Sequence, residues 1–245
     1  MTWLVDLGNT RLKWAVLGPD GLVQRGAVPH VDADFEGAFD AALAGLPRAD
    51  VALLASVAHP DLTARVAALI ARHGVPTERA ITRAALGGVR VAYPEPARLG
   101  VDRFLGLLGA HARGGGPWLV ASVGTALTID ALDRDGRHHG GLIAPSPALM
   151  HAALGERAAQ LHVAPGRWVD FADDTVDALT SGCLGAAAAL VERSHARACA
   201  LFGRAPTLLL VGGGAQALAP GLGVPHQAAP DLVLEGLAVY AAARG

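Results

Sequence analysis

Short apolar runs separated by turn chemistry open the chain. Trp3 to Leu7, Leu12 to Leu17 and Leu22 to Val28 read as three strands. The turns between them are Gly8-Asn9-Thr10 and Gly18-Pro19-Asp20-Gly21, both rich in residues that reverse a strand. The period then lengthens to that of a helix, with Phe35, Phe39, Leu43 and Leu46 on one face. A buried-type strand from Val51 to Val57 precedes a helix from Pro60 to His73, started by Pro60-Asp61 and stopped by Gly74. The stretch from Ile81 to Gly100 is turn-rich, and a further helix spans Val101 to Arg113 ahead of Gly114-Gly115-Gly116.

The opening pattern then recurs. Trp118 to Ala121, Ala126 to Leu132 and Arg137 to Ala144 are again three strands, joined through Val123-Gly124-Thr125 and Asp135-Gly136. Placing Gly8 on Gly124 keeps Asp20-Gly21 near Asp135-Gly136 and Gly26-Ala27-Val28 near Gly141-Leu142-Ile143. The repeat is too long for a solenoid and implies two similar α/β domains, residues 1–115 and 116–245. Helices are expected over Pro147 to Gln160, Thr175 to Phe202 and Leu232 to Ala243. A loop is expected over Pro165 to Asp174 and a buried strand over Thr207 to Val211.

Composition narrows the class. Of 245 residues, 52% are hydrophobic but only 4% aromatic, which suits small-residue helices packed on sheets and excludes disorder. A net charge of −2 gives no basic face for nucleic acid. Cys183 and Cys199 cannot build a disulfide framework and read as packing residues. No charged leader precedes the first strand and no run of about 18 apolar residues occurs, so a cytoplasmic protein that does not enter the membrane is expected.

The two repeated turns are the first candidate chemistry. A strand that ends in a glycine turn gathers backbone N–H groups able to cradle phosphate, and a carboxylate at the strand end can hold a hydrated cation. Asp6-x-Gly8-Asn9-Thr10 has this form and Ser122-x-Gly124-Thr125 echoes it, which points to a nucleotide held between two halves. Gly212-Gly213-Gly214 follows a strand but lacks the later acid of a dinucleotide fingerprint; close approach of a nucleotide or a structural turn both fit it. No Gly-x-x-x-x-Gly-Lys-Ser/Thr loop exists. Asp102-Arg103 opens a helix, where the acid can serve as a base for a hydroxyl and the arginine can hold a carboxylate or phosphate. An acidic residue also simply suits a helix N-terminus. His138 and His139, adjacent in a strand, point to opposite faces and cannot share a metal.

Taken together, Asp6-Leu7-Gly8-Asn9-Thr10-Arg11-Leu12-Lys13, Tyr93, Gly100-Val101-Asp102-Arg103, Gly124-Thr125-Ala126-Leu127-Thr128-Ile129-Asp130, Gly140 to Pro145 and Pro230 to Leu237 resemble type III pantothenate kinase. The resemblance implies two duplicated ribonuclease H-like domains of the actin-like ATPase fold with ATP in the cleft. It implies phosphorylation of pantothenate to 4′-phosphopantothenate, the first step towards coenzyme A. It further implies ATP contacts from Asp6, Gly8, Asn9, Thr10, Lys13, Gly124 and Thr125, with Asp6 acting through Mg2+. Asp102 would be the base, and Tyr93, Gly100, Val101, Asp102, Arg103 and Thr175 would contact pantothenate. A homodimer is implied as well.

Two positions depart from the family pattern. Where relatives resemble one another in an Asp that ligates K+ or NH4+, this chain has Ser122, whose hydroxyl brings no negative charge. Cation dependence is therefore expected to be weaker, absent, or served by Asp130. Ser146 stands where glycine is usual. The rival reading is a catalytically weak relative acting as a transcriptional accessory protein, against which Asp6, Asp102 and Arg103 are retained.

Overall fold

The computed structural model describes residues 1–31, 34–158 and 164–244. They form two compact units, the first of residues 1–114, 135–138 and 231–244, the second of residues 115–134 and 139–230.

In the first unit β1 (Thr2–Leu7), β2 (Arg11–Gly18) and β3 (Gly21–Pro29) form an antiparallel meander. After α1 (Phe35–Ala44), β4 (Val51–Ser56) pairs parallel with β1. After α2 (Pro60–Arg72), β5 (Thr77–Arg79) extends the sheet, giving the order β3-β2-β1-β4-β5. Sequence periodicity does not reveal β5, a three-residue edge strand with two exposed positions. β1 is central and buried on both faces, as expected of a strand covered by helices on each side. Trp3, Val5 and Leu7 pack with Phe39 and Leu43 of α1 and Val66 and Ile70 of α2. A hairpin of β6 (Ala85–Leu86) and β7 (Val89–Arg90) leads to α3 (Val101–Ala112), which contacts β4 on the sheet.

The second unit repeats the plan. β8 (Trp118–Val123), β9 (Ala126–Leu132) and β10 (His138–Pro145) form its meander. α4 (Pro147–Arg157) and α5 (Thr175–Phe202) follow, then β11 (Thr207–Val211), α6 (Ala215–Leu218) and β12 (His226–Ala228). The sheet order β10-β9-β8-β11-β12 matches the first sheet strand for strand. Leu119, Ala121, Val123, Ile129 and Leu208 pack against Ala187, Ala188, Val191 and Ala198 of α5, so the alanine-rich sequence serves close helix-on-sheet packing. α5 starts where expected because Asp174 caps it, accepting from the N–H groups of Val176 and Asp177 at 2.8 and 3.0 Å. Gly203, at φ 66°, stops it. α4 ends at Arg157, and residues 159–160 of the helix expected there lie outside the described residues. Ser146 is the N-cap of α4 and accepts from Leu149 N–H at 3.2 Å.

The last helix, α7 (Leu232–Ala243), belongs to the first unit, although the split at residue 115 assigned it to the second. Its partner is α3. A Cβ at Gly236 would lie 1.9 Å from the Leu105 carbonyl oxygen, and one at Gly109 would lie 2.4 Å from that of Leu232. Glycine at these two points lets the helix backbones touch. Arg113 holds Glu235 through two bonds of 2.9 and 2.8 Å. The turn residues 135–138 also join the first unit, where Arg90 N–H donates to the Gly136 carbonyl at 2.8 Å.

Candidate active site

Strand alternation decides which side chains meet in the first unit. Trp3, Val5 and Leu7 face α1 and α2, so Asp6 shares the opposite face with Leu4, the face that α3 and α7 cover. Lys13 is the cross-strand partner of Asp6. Asp6 is buried, and its carboxyl is pushed up to about 7, chiefly by burial; the charge of Lys13 opposes the shift and that of Asp102 adds to it. The acid that ends β1 and the acid that opens α3 therefore belong to one electrostatic site.

The turn after Asp6 is closed by Gly8 N–H donating to the Arg11 carbonyl at 3.0 Å, which leaves Asn9 and Thr10 as its exposed residues. His30 holds the turn from the side. Its N–H donates to the Thr10 carbonyl at 3.1 Å, and its Nε2 lies 3.0 Å from the Gly8 carbonyl. A carbonyl only accepts, so Nε2 carries the proton.

Gly100 is the N-cap of α3, Val101 its buried first residue and Asp102 the next. The Asp102 carboxylate curls back so that Oδ1 accepts from Arg103 N–H at 2.8 Å. A Cβ on residue 100 would lie 2.6 Å from that oxygen, so a side chain there would press on the carboxylate in this orientation. The Arg103 guanidinium is buried in the first turn and donates to the Tyr93 hydroxyl at 3.2 Å. Tyr93 is stacked in turn on His138, with ring centroids 6.0 Å apart and planes 17° from parallel. The expected pantothenate contacts Tyr93, Gly100, Val101, Asp102 and Arg103 thus converge on one helix start.

In the second unit the equivalent positions are neutral. Ser122, half-buried, pairs across the strands with Thr128 where Asp6 pairs with Lys13. Gly124 N–H closes its turn onto the Ala126 carbonyl at 2.9 Å, with Gly124 and Thr125 exposed. Asp130, buried and opposite Val120, lies on the same strand face as Ser122, one pair further along. Thr175 belongs to the second unit, exposed as the first residue of α5. The Gly212–Gly214 run serves the fold: a Cβ at Gly212 would lie 2.4 Å from the Val123 oxygen, and Gly214 N–H donates to that oxygen at 2.9 Å. Cys183 is buried, its thiol pushed up by burial, and both cysteines are free.

Among the described residues no group of three or more His, Cys, Asp or Glu could hold a metal unaided. A buried carboxyl whose ionisation is opposed by burial and by a neighbouring carboxylate fits a hydrated Mg2+ that arrives with nucleotide phosphates, since the cation favours the ionised form and needs only one or two carboxylates. His30 and His138 are two residues to which sequence reasoning assigns no role. Nothing in their local pattern marks them, because their partners come from elsewhere in the chain.

A model of the type III pantothenate kinase family matches residues 3–197. A type III pantothenate kinase of Xanthomonas campestris pv. campestris (strain B100) is 51% identical over 239 residues, covering 98% of this chain and 96% of its own. Similarity in fold reaches further. A Sinorhizobium meliloti structure described as a candidate 2-dehydro-3-deoxygalactonokinase superposes with a TM-score of 0.62 at 18% identity, covering 100% of this chain and 98% of its own. An activator of 2-hydroxyisocaproyl-CoA dehydratase from Clostridium difficile superposes at 0.56 with 13% identity, covering 98% and 93%. The family model covers most of the chain and a half-identical relative matches along nearly its whole length, and the chain belongs to the type III pantothenate kinase family.

Proposed function

We propose that this protein phosphorylates pantothenate with ATP, giving 4′-phosphopantothenate and ADP, the first step of coenzyme A biosynthesis. The observation that carries the reading is the electrostatic coupling of Asp6 to Asp102 and Lys13, beside an Arg103 bonded to Tyr93. Phosphoryl transfer needs positioning and charge neutralisation more than covalent chemistry, and those are what this constellation supplies. The pantothenate hydroxyl attacks the γ-phosphorus in line, its proton passes to the Asp102 carboxylate, and ADP leaves. The Arg103 N–H fixes Oδ1 of that carboxylate, and the helix N-terminus favours a negative side chain there. Arg103 and Tyr93 offer donors to the oxygens of pantothenate, and Val101 and Gly100 shape the wall beside them.

In the first unit the proposed phosphate contacts are Asn9 and Thr10 of the turn and Lys13 of β2, and in the second unit Thr125 is; Gly8 and Gly124 close the two turns. Asp6 would be the protein carboxylate that holds a nucleotide-bound Mg2+, an ion that would supply charge neutralisation at the phosphates. At the monovalent-cation position Ser122 and Thr128 offer hydroxyl oxygens only, and Asp130 is the acid that remains on that face. Turnover should accordingly depend weakly on potassium or ammonium.

The same proposal includes a homodimer. α4 and α5 present an apolar cavity of about 610 Å³, lined by Leu149, Met150, Leu154, Leu179 and Cys183, with Leu149 and Leu154 exposed. It includes a cytoplasmic setting, which two free cysteines fit. No helix among the described residues is long and apolar enough to cross a membrane. The test is pantothenate-dependent ADP formation by the pure protein, with and without potassium and ammonium. Turnover in any of these salts supports the reading, and none in all of them returns the accessory-protein alternative.

A further inference from the structure

We infer that His138 is a positioning residue for substrate binding, acting through Tyr93; the inference rests on the pantothenate site just proposed. His138 is 1% exposed, a rare degree of burial for an imidazole, and the other eight histidines among the described residues are all at least partly exposed. It opens β10 yet belongs with residues 135–137 to the first unit, so it reaches the site from a segment 45 residues beyond Tyr93. Its ring lies nearly parallel to that of Tyr93, offset at 6.0 Å between centroids, within the range of an attractive stack. Nδ1 accepts a long 3.4 Å bond from Ala92 N–H, the residue before Tyr93. That bond assigns the bare nitrogen to Nδ1 and fixes which way the ring faces.

The consequence follows the chain of contacts outward. Tyr93 is half-buried on a loop between β7 and α3, and such a residue needs a rigid backing to hold one orientation. The imidazole backs the ring, its Nδ1 holds the backbone next to it, and the phenol is thereby aimed at Arg103 NH1, 3.2 Å away. Two contacts at two points set both the position and the plane of Tyr93. His138 needs no contact with substrate to do this; it fixes the pair that does touch it.

The experiment uses the full chain and compares wild type, His138→Ala, His138→Phe, Tyr93→Ala and the double variant, each first checked for native circular dichroism. In His138→Ala the KM for pantothenate should rise roughly five- to tenfold, the worth of one aromatic stacking contact, with kcat and the KM for ATP within about twofold of wild type. His138→Phe, which keeps a flat ring, should recover most of that loss. His138→Ala added to Tyr93→Ala should cost nothing further, because the residue works only through the tyrosine. An unchanged pantothenate KM in His138→Ala, or additive losses in the double variant, would overturn the inference. So would losses in His138→Ala that fall equally on kcat and on ATP, since these mark a general structural role. If His138→Ala does not fold, His138→Phe against Tyr93→Ala decides: a pantothenate KM in His138→Phe as poor as in Tyr93→Ala overturns the inference, and one near wild type supports it. Absence of pantothenate turnover in wild type is a different result and refutes the functional reading instead.

Discussion

Replacing Asp6 with asparagine tests the electrostatic core of the site without activity as the readout. The Asp6 carboxyl rises from 3.8 to about 7, a shift of roughly three pH units. At about 1.4 kcal/mol per unit the ionised carboxylate costs the folded state about 4 kcal/mol. The direction follows from linkage. Below pH 3.8 the group is protonated whether the chain is folded or not, and it costs nothing. Between that value and 7 the unfolded chain ionises while the folded one does not, so stability falls by about 1.4 kcal/mol with each pH unit. Above 7 the folded carboxylate ionises too and the loss levels off. Asparagine keeps the shape and cannot ionise. Asp6→Asn should match wild type in stability near pH 4 and exceed it by up to about 4 kcal/mol at pH 8. With an m-value of about 2 kcal/mol/M that is a urea midpoint some 2 M higher. The assay is urea unfolding followed by tryptophan fluorescence between pH 4 and 8, with Trp3 and Trp14 reporting on the first unit. Parallel pH profiles for the two proteins would refute the reasoning. The same variant should lose turnover, because the carboxylate is then missing where the nucleotide's magnesium needs it.

Three further outcomes are expected. Asp102→Asn should lower kcat by about a hundredfold or more, the usual worth of a positioned base, with ATP affinity within about twofold by calorimetry; normal turnover would remove Asp102 as the base. Ser122→Asp should make activity depend more steeply on potassium than in wild type, and superimposable potassium titrations would sink the idea that the neutral Ser122–Thr128 pair sets that dependence. Gly236→Ala should cost about 1–3 kcal/mol of stability, since its Cβ would meet the Leu105 carbonyl at 1.9 Å with backbone on both sides and no flexible side chain to yield; an unchanged thermal midpoint would contradict the close helix contact.

Much of this was legible in the residues themselves. Alternation and turn chemistry suffice for the two meanders, because Gly8 and Gly124 each close a tight turn within their own neighbourhood. Helix α5 is predictable from Asp174 to Phe202 because its cap and its small-residue face are both local. Asp6 and Asp102 could be singled out by motif, but their coupling could not, since it depends on which face of β1 the helix α3 covers. β5 and β12 escape notice for a related reason. Each is three residues long, and what makes each a strand is a neighbour, β4 or β11, rather than its own pattern. His30 and His138 act through partners 22 and 45 residues away, where no spacing rule operates. The assignment of α7 to the second domain failed on the same account: its Gly236 makes sense only against Gly109 and Leu105.

That helix also has a bearing on how the protein is made. The first unit holds residues 1–114, yet its wall over α3 is supplied by residues 231–244. A ribosome adding about 5–20 residues per second needs roughly 6–23 s to synthesise the segment between them. For that interval α3 has its glycine-notched face without the helix that fits it, and Arg113 without Glu235. The unit whose larger part is translated first is therefore finished only once residues 231–244 have been made, and α3, the helix that carries Asp102, gains its full support only then.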